Sequence, residues 1–251
     1  SQKCCSVFHY NESLGEKNSV KKAEQELKNR YESLENKYDK FLAENYDYKA
    51  NTYETNKINL LSNPTSLYAK QPTVYYGLMY LAKNAKKEVK IHTPYIICND
   101  YMYNELKNIK VPTTIMTNSA ENNGNIFGAV DYLNHKKDII NTGVTIKEYE
   151  GGISYHGKSM TIDDDIAIVG SFNMDMRSAY LDTELMLVIR SREINRQLEE
   201  GMMTYEKMSR QVLEDGTYNN PYNVEPIALT KKKQIKILLV QHLLGWVRFL
   251  F

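Results

Sequence analysis

The stretch "YHGKSMTIDDDIAIVGSFNMD", residues 155–175, decides how the fold is read. Two runs of strand character, 153–163 ("ISYHGKSMTID") and 166–171 ("IAIVGS"), flank a turn at Asp164 and Asp165. On a strand over 153–163 side chains alternate, so His156 and Lys158 share a face and converge on one ligand. Lysine offers a point charge that suits phosphate oxygens, and imidazole can attack phosphorus or carry a proton near neutral pH. The second strand returns to the same spot and sets Ser171 and Asn173 beside it as neutral hydrogen-bond donors, with Gly170 permitting close backbone approach. Glu184, in the strand-like "TELMLVI", is placed to accept a proton from one nitrogen of His156 and so fix its tautomer. Taken singly, each residue has an ordinary structural explanation. The joint spacing is what points to a site.

Strand and helix periods alternate outward from this hairpin. Upstream lie a strand at 57–64 ("KINLLSNP"), a helix at 72–87, a strand at 88–96 ("EVKIHTPYI"), a helix at 101–109, a strand at 111–119 ("VPTTIMTNS"), a helix at 125–143 and a strand at 144–150. Downstream, a strand at 183–190 precedes a helix of about twenty residues, within 193–215, that ends at Gly216. Residues 217–230 read as loop. This order predicts an α/β fold, a mixed sheet covered by helices on both faces. Residues 19–46 carry Leu27, Tyr31, Leu34, Tyr38 and Phe41 at alternating four- and three-residue steps, which predicts an amphipathic helix packed on a neighbouring core. The expected organisation is an N-terminal helical segment, 1–56, a catalytic domain, 57–216, and a loop with a basic, apolar helix, 217–251.

Composition narrows the function classes. Thirty-two basic against 31 acidic residues leave a formal charge of +1, so no global basic field marks a general nucleic-acid binder. Cys4, Cys5 and Cys98 form no Cys-x-x-Cys pair, which argues against a zinc site or a disulfide framework and for a reducing compartment. The final segment, "KKKQIKILLVQHLLGWVRFLF", is too short and too interrupted by polar residues to span a bilayer. It fits equally a helix packed on the domain or a basic helix lying in a membrane interface.

The full pattern, His-x-Lys, four residues, Asp, then Gly-Ser-x-Asn, resembles the signature of the phospholipase D superfamily, met here at His156, Lys158, Asp163, Gly170, Ser171 and Asn173. Within that superfamily "GSFNMDMRSAYLDTELMLVI" is similar to the bacterial cardiolipin synthases, in which Arg177, Ser178 and Glu184 also find counterparts. The likeness extends upstream through "HTPYI" and "TNS". The resemblance implies phosphodiester chemistry without metal or other cofactor, in two steps through a covalent phosphohistidine that water or an alcohol resolves. Asp163 is then structural, its carboxylate bonding backbone amides near the turn. Two histidines are required, because an unprotonated nucleophile and a protonated acid cannot be one imidazole at one moment.

The chain departs from the family pattern in having one motif. Of His9, His92, His135 and His242, only His135 has a lysine two positions on, in "HKK" within a predicted helix and with no Asp or Gly-Ser-x-Asn after it. Either the chain is the carboxy-terminal half of a two-motif enzyme or two copies build one site. The first is favoured because the sequence begins at Ser1 and a long helical stretch precedes the sheet. The resemblance then makes His156 the general acid and leaves the nucleophile in the other half. Relatives commonly carry an acidic residue after Thr-Asn-Ser, a place that Glu121 or Asn125 fills here. The expected activity is phosphatidyl transfer of the cardiolipin synthase type, or hydrolysis, on a phospholipid or other phosphodiester at the cytoplasmic side of a membrane that residues 231–251 touch. The alternatives are a single-motif homodimeric phosphodiesterase acting on nucleic acid, which the near-neutral charge disfavours, and a non-catalytic half.

Overall fold

From Lys57 onward the apolar residues recur at strand and helix periods in turn, and pairing between the strands builds one sheet. The computed structural model describes residues 15–42, 47–50, 52–66 and 68–248, with the side chains of 39–42 and 242–247 outside the description. Cys4, Cys5, His9 and the last three residues of the tail therefore lie outside the described residues. The chain divides into two compact units, one through Thr52 and one from Tyr53.

The first unit holds helix α1, Asn18–Leu42. Within this unit Leu27, Tyr31, Leu34 and Tyr38 of its stripe are exposed. Among the described residues this unit has no second helix or strand to cover it.

The second unit orders its nine-stranded sheet as β1 (Lys57–Ser62), β9 (Leu185–Arg190), β7 (Ile166–Gly170), β6 (Ser159–Ile162), β2 (Val89–His92), β4 (Thr113–Asn118), β5 (Thr145–Tyr149), β10 (Ser209–Val212) and β11 (Tyr218–Asn219). The pairs β2/β4 and β4/β5 are parallel and the others antiparallel. A second, two-stranded parallel sheet joins β3 (Ile96–Ile97) to β8 (Met174–Asp175). The parallel strands end, and β6 and β9 begin, at the same edge of the sheet, so the loops that carry the His156 and Gly-Ser-x-Asn stretches meet there.

One sheet face buries Val89, Ile91, Ile115, Ile146, Met160, Ile162, Ile168 and Met186. Against it pack Tyr75, Leu78 and Met79 of α2 (Thr73–Lys83), Met102 and Leu106 of α3 (Asp100–Lys107) and Ile139 of α4 (Ile126–Ile140). Burying each such side chain stabilises the fold by about 1.5–3 kcal/mol, which fixes the register, since a one-residue slip would turn every one of them to the other face. The other face is covered by α6 (Arg192–Glu206), which buries Met202 and pairs Glu199 with Lys90 and Glu206 with Lys147. The α/β sheet with helices on both faces is as predicted, and a short helix, α5 (Met176–Tyr180), follows β8.

Three local expectations are corrected. The first hairpin strand covers only Ser159–Ile162, because the backbone N–H and C=O of Tyr155 are bonded by the Asn118 side chain instead of a neighbouring strand. The helix placed within 193–215 stops at Glu206, and Ser209–Val212 turns back as β10 because pairing with β5 satisfies its backbone better than isolated helix would. Residues 217–230 include the two-residue strand β11.

The tail forms α7, Lys231–Val247, capped by Thr230. Ile237 is buried against Val130 of α4, with Val240 and Leu229 beside them. The packed-helix reading thus holds for this face, while Ile235 and Leu239 on the opposite side stay 60% and 64% exposed. Among the described residues no helix is long and apolar enough to cross a membrane.

Candidate active site

The residues that the spacing singles out lie on two loops. On the first, residues 151–158 run without ladder pairing into β6. Asn118, at the end of β4 and 1% exposed, holds this loop from below. Its Oδ1 accepts from Tyr155 N–H at 2.8 Å and its Nδ2 donates to the Tyr155 carbonyl at 2.9 Å and the Pro94 carbonyl at 2.8 Å. The residue after this clamp is His156. Its exposed ring lies 3.1 Å, at Nδ1, from Lys158 Nζ, which also donates to the His156 carbonyl at 2.8 Å. Burial first and then the Lys158 charge push the imidazole pKa below its usual value. Burial likewise lowers Lys158, against the opposing pull of Glu184 and Asp175.

On the second loop, Ser171 and Leu185 exchange Ser171 N–H to Leu185 O (2.9 Å) and Leu185 N–H to Ser171 Oγ (3.0 Å). A Cβ on Gly170 would sit 2.1 Å from the Leu185 carbonyl oxygen, so only glycine allows β7 and β9 this approach. The buried carboxylate of Glu184 accepts from Ser171 Oγ and, at 2.9 Å, from Ser178 Oγ. Both oxygens are engaged, and no hydrogen bond joins Glu184 to His156 among the described residues. The expectation that Glu184 orients His156 is corrected accordingly; it orders the serines instead. Ser178 Oγ in turn accepts from the backbone N–H of Asn173 (3.3 Å) and from its Nδ2 (3.2 Å). The donors of Ser171 and Asn173 are therefore turned inward, although Asn173 Nδ2 carries a second hydrogen and its buried Oδ1 has no partner among the described residues. Asp175 caps α5 by accepting from Ser178 N–H, and burial raises its carboxyl to about 6, against the opposing bonds from Ser178.

Asp163 lies at the other end of β6, roughly 13 Å along a four-residue strand. In a left-handed conformation (φ 53°) it accepts from the backbone N–H groups of Lys86, Lys87 and Glu88. Burial works against its ionisation, and these three bonds overcome it and hold the carboxyl below its usual value. Asp163 thus ties the hairpin turn to the segment before β2 and takes no part in the His156 cluster. No hydrogen bond joins Glu121 or Asn125 to His156 among the described residues. Glu121 accepts from Thr230 N–H at 3.2 Å, and Asn125 caps α4 by accepting from Phe127 N–H at 3.0 Å.

One network escapes sequence reasoning. Tyr155 Oη lies 3.3 Å from His92 Nδ1, whose Nε2 lies 3.2 Å from Glu206 Oε1, and Lys147 holds the other Glu206 oxygen. Burial pushes His92 below its usual value and outweighs Glu206, so the ring is neutral, donating through Nε2 and accepting from the tyrosine. Burial opposes ionisation of Glu206, but the bonds from His92 and Lys147 prevail and draw it down to about 2. This chain of groups braces the tyrosine next to His156. The only sequence signal was a histidine at the end of a strand, which has many ordinary explanations.

Comparison with known proteins gives a consistent result. Residues 78–204 match the family described as "Cardiolipin synthase, PLD-like domain". Cardiolipin synthase 1 of Staphylococcus epidermidis is 30% identical over 131 residues, 51% of this chain and 26% of that protein. Cardiolipin synthase 1 of Staphylococcus aureus is 26% identical over 188 residues, 72% of this chain and 38% of that protein. The chain thus spans between a quarter and two-fifths of the length of these two curated relatives. The crystal structure of phosphatidylserine synthase from Haemophilus influenzae superposes with a TM-score of 0.54 at 15% identity, covering 77% of this chain and 48% of that one, a likeness of fold.

Proposed function

Because this chain belongs to the family of cardiolipin synthase PLD-like domains, we propose that it carries half of an active site that breaks and remakes phosphodiester bonds, with phosphatidyl transfer as the favoured reaction. The observation that carries this reading is the pairing of His156 with Lys158 at the sheet edge, beside the Ser171, Ser178 and Glu184 cluster. Lys158 attracts the diester anion to the imidazole. One histidine attacks phosphorus and expels an alcohol, the other gives that alcohol its proton, and the same group later removes a proton from the water or alcohol that attacks the phosphohistidine.

Among the described residues no second imidazole is free to do this. His92 is buried between Tyr155 and Glu206, and His135 is bonded to Asp138 on α4 at 2.9 Å. In this proposal the second histidine comes from another PLD-like half, either a first-motif half or a second copy. Its seat is the row Leu60, Leu187 and Val169, paired across β1, β9 and β7, together with Ile58 and Leu185. Four of these five apolar side chains are exposed, and the row ends beside Ser171. In this scheme His156 serves as the acid. A neutral ring at rest fits that role once a bound diester anion raises its affinity for a proton. The exposed Ile235 and Leu239 of α7, with Lys231, Lys232 and Lys236, fit contact with an anionic membrane surface.

In the assembled enzyme His156→Ala is expected to reduce transfer from phosphatidylglycerol, and hydrolysis of a chromogenic diester, by about 10²–10⁴-fold. Turnover equal to the unmodified protein would remove His156 from the chemistry.

A further inference from the structure

The loop that carries His156 is folded around one side chain. Tyr155, the residue before His156, turns its ring inward, against Gly157. Three rings meet it edge to face: Tyr205 of α6 at 4.8 Å between centroids, His92 of β2 at 5.6 Å and Tyr149 of β5 at 5.9 Å. Its hydroxyl is directed as well as held. Glu206 is ionised and can only accept, so His92 Nε2 carries the proton, Nδ1 is bare, and Tyr155 Oη donates to it at 3.3 Å. Burial raises the tyrosine pKa, with the Ser159 hydroxyl pulling the other way. The side chain therefore reaches from residue 155 to Ser159, the first residue of β6.

Gly157 shows what this crossing demands. A Cβ there would lie 2.3 Å from Tyr155 Oη and 2.6 Å from its Cζ, closer than real contacts allow. The backbone of Gly157 does not have a positive φ, so it is the tyrosine ring that keeps a side chain out. Nor can the ring swing aside freely, because its three aromatic neighbours and the bond to His92 fix it. With residues 155 and 157 turned inward, His156 and Lys158 turn outward together, where Lys158 Nζ lies 3.1 Å from His156 Nδ1 and 2.8 Å from the His156 carbonyl. We propose that Tyr155 is a positioning residue, whose side chain, anchored on His92, fills the space of a Gly157 side chain and so sets the spacing of His156 and Lys158. It touches no reacting atom and lies outside the motif. The inference rests on the phosphodiester reading, in which this pair meets the substrate phosphate and a misplacement of about 1 Å costs on the order of 10²-fold in rate.

The test is an NMR titration of the histidine rings in the full chain, the His156 signal being the one lost in His156→Ala protein. His156 should titrate below the ordinary histidine value, where burial and the Lys158 charge hold it, and Lys158→Ala should raise it. Tyr155→Phe keeps the ring and removes the bond to His92, whereas Gly157→Ala displaces the ring. Both should raise His156 most of the way to its value in Lys158→Ala protein. Asn195→Ala, which removes a bond to the Ile166 carbonyl away from this loop, should leave it unmoved. A titration unchanged in folded Tyr155→Phe protein would overturn the role of the hydroxyl, and an equal rise in Asn195→Ala protein would overturn the positioning role as a whole. Tyr155→Leu makes room for the methyl, so adding Gly157→Ala to it should change nothing more; a further change would give Gly157 a role of its own and overturn the shared space. In the assembled enzyme Gly157→Ala should lower turnover on the order of 10²-fold, and a titration that moves while turnover stays would remove the spacing from the reaction. If His156→Ala also leaves turnover unchanged, it is the phosphodiester reading that fails, and the titration, which needs no turnover, still decides the placement.

Discussion

Replacing Asn118 by alanine removes four hydrogen bonds from a residue that is 1% exposed. Three backbone groups lose their partner: the Pro94 carbonyl and both the N–H and the C=O of Tyr155. Each buried group left open costs about 1–3 kcal/mol, and water entering the space of the amide returns part of it. The expected loss is about 2–4 kcal/mol, a large share of the ~5–15 kcal/mol that holds an ordinary domain together. Urea unfolding should show a lower midpoint with an unchanged slope. Turnover per folded molecule should fall as well, because the loop that carries His156 is released. Asn195→Ala is the control: Asn195 is equally buried and bonds the Ile166 carbonyl at 2.7 Å, away from that loop. It should cost stability and leave the turnover of folded protein intact. If Asn118→Ala and Asn195→Ala behave alike in turnover, the clamp is merely structural.

Gly170→Ala drives a methyl into the Leu185 carbonyl and should part β7 from β9, costing about 1–3 kcal/mol or more in urea unfolding; a neutral effect would contradict the close approach. Acid stability follows from the buried network. Glu206 titrates at about 2 when folded and near 4.5 when unfolded, so its contribution, on the order of 3 kcal/mol, is complete above about pH 4.5 and lost as pH falls toward 2. His92, held neutral below its usual pKa, adds a loss in the same direction that begins below about pH 6.5, and Glu206→Gln should flatten the lower part of the stability profile. Ile235→Ser with Leu239→Ser should reduce co-sedimentation with anionic vesicles without lowering the unfolding midpoint, since both side chains are exposed; unchanged sedimentation would remove α7 from membrane contact.

Much of the sheet was legible because β2, β4, β5, β7 and β9 are short apolar runs between turn signals. Their order in space was not, since nothing local brings β9 between β1 and β7. Tertiary bonds decided the errors. The strand through His156 fails because Asn118, 37 residues upstream, takes the backbone of Tyr155. Residues 209–212 look helical until β5 offers them a ladder. In the candidate site the spacing brought His156, Lys158, Ser171, Asn173 and Glu184 into one neighbourhood. It could not assign Glu184 its partners, because Ser178 enters only when α5 folds back.

In the proposed reaction His156 needs an imidazole from another half. Light scattering and diester hydrolysis, measured on the same fractions of this chain alone and mixed with a candidate first-motif half, test it most directly. Turnover should appear only in associated fractions, whether homodimer or mixed assembly, and disappear from them with His156→Ala. Turnover in a monomeric fraction, or associated turnover that survives His156→Ala, would contradict it.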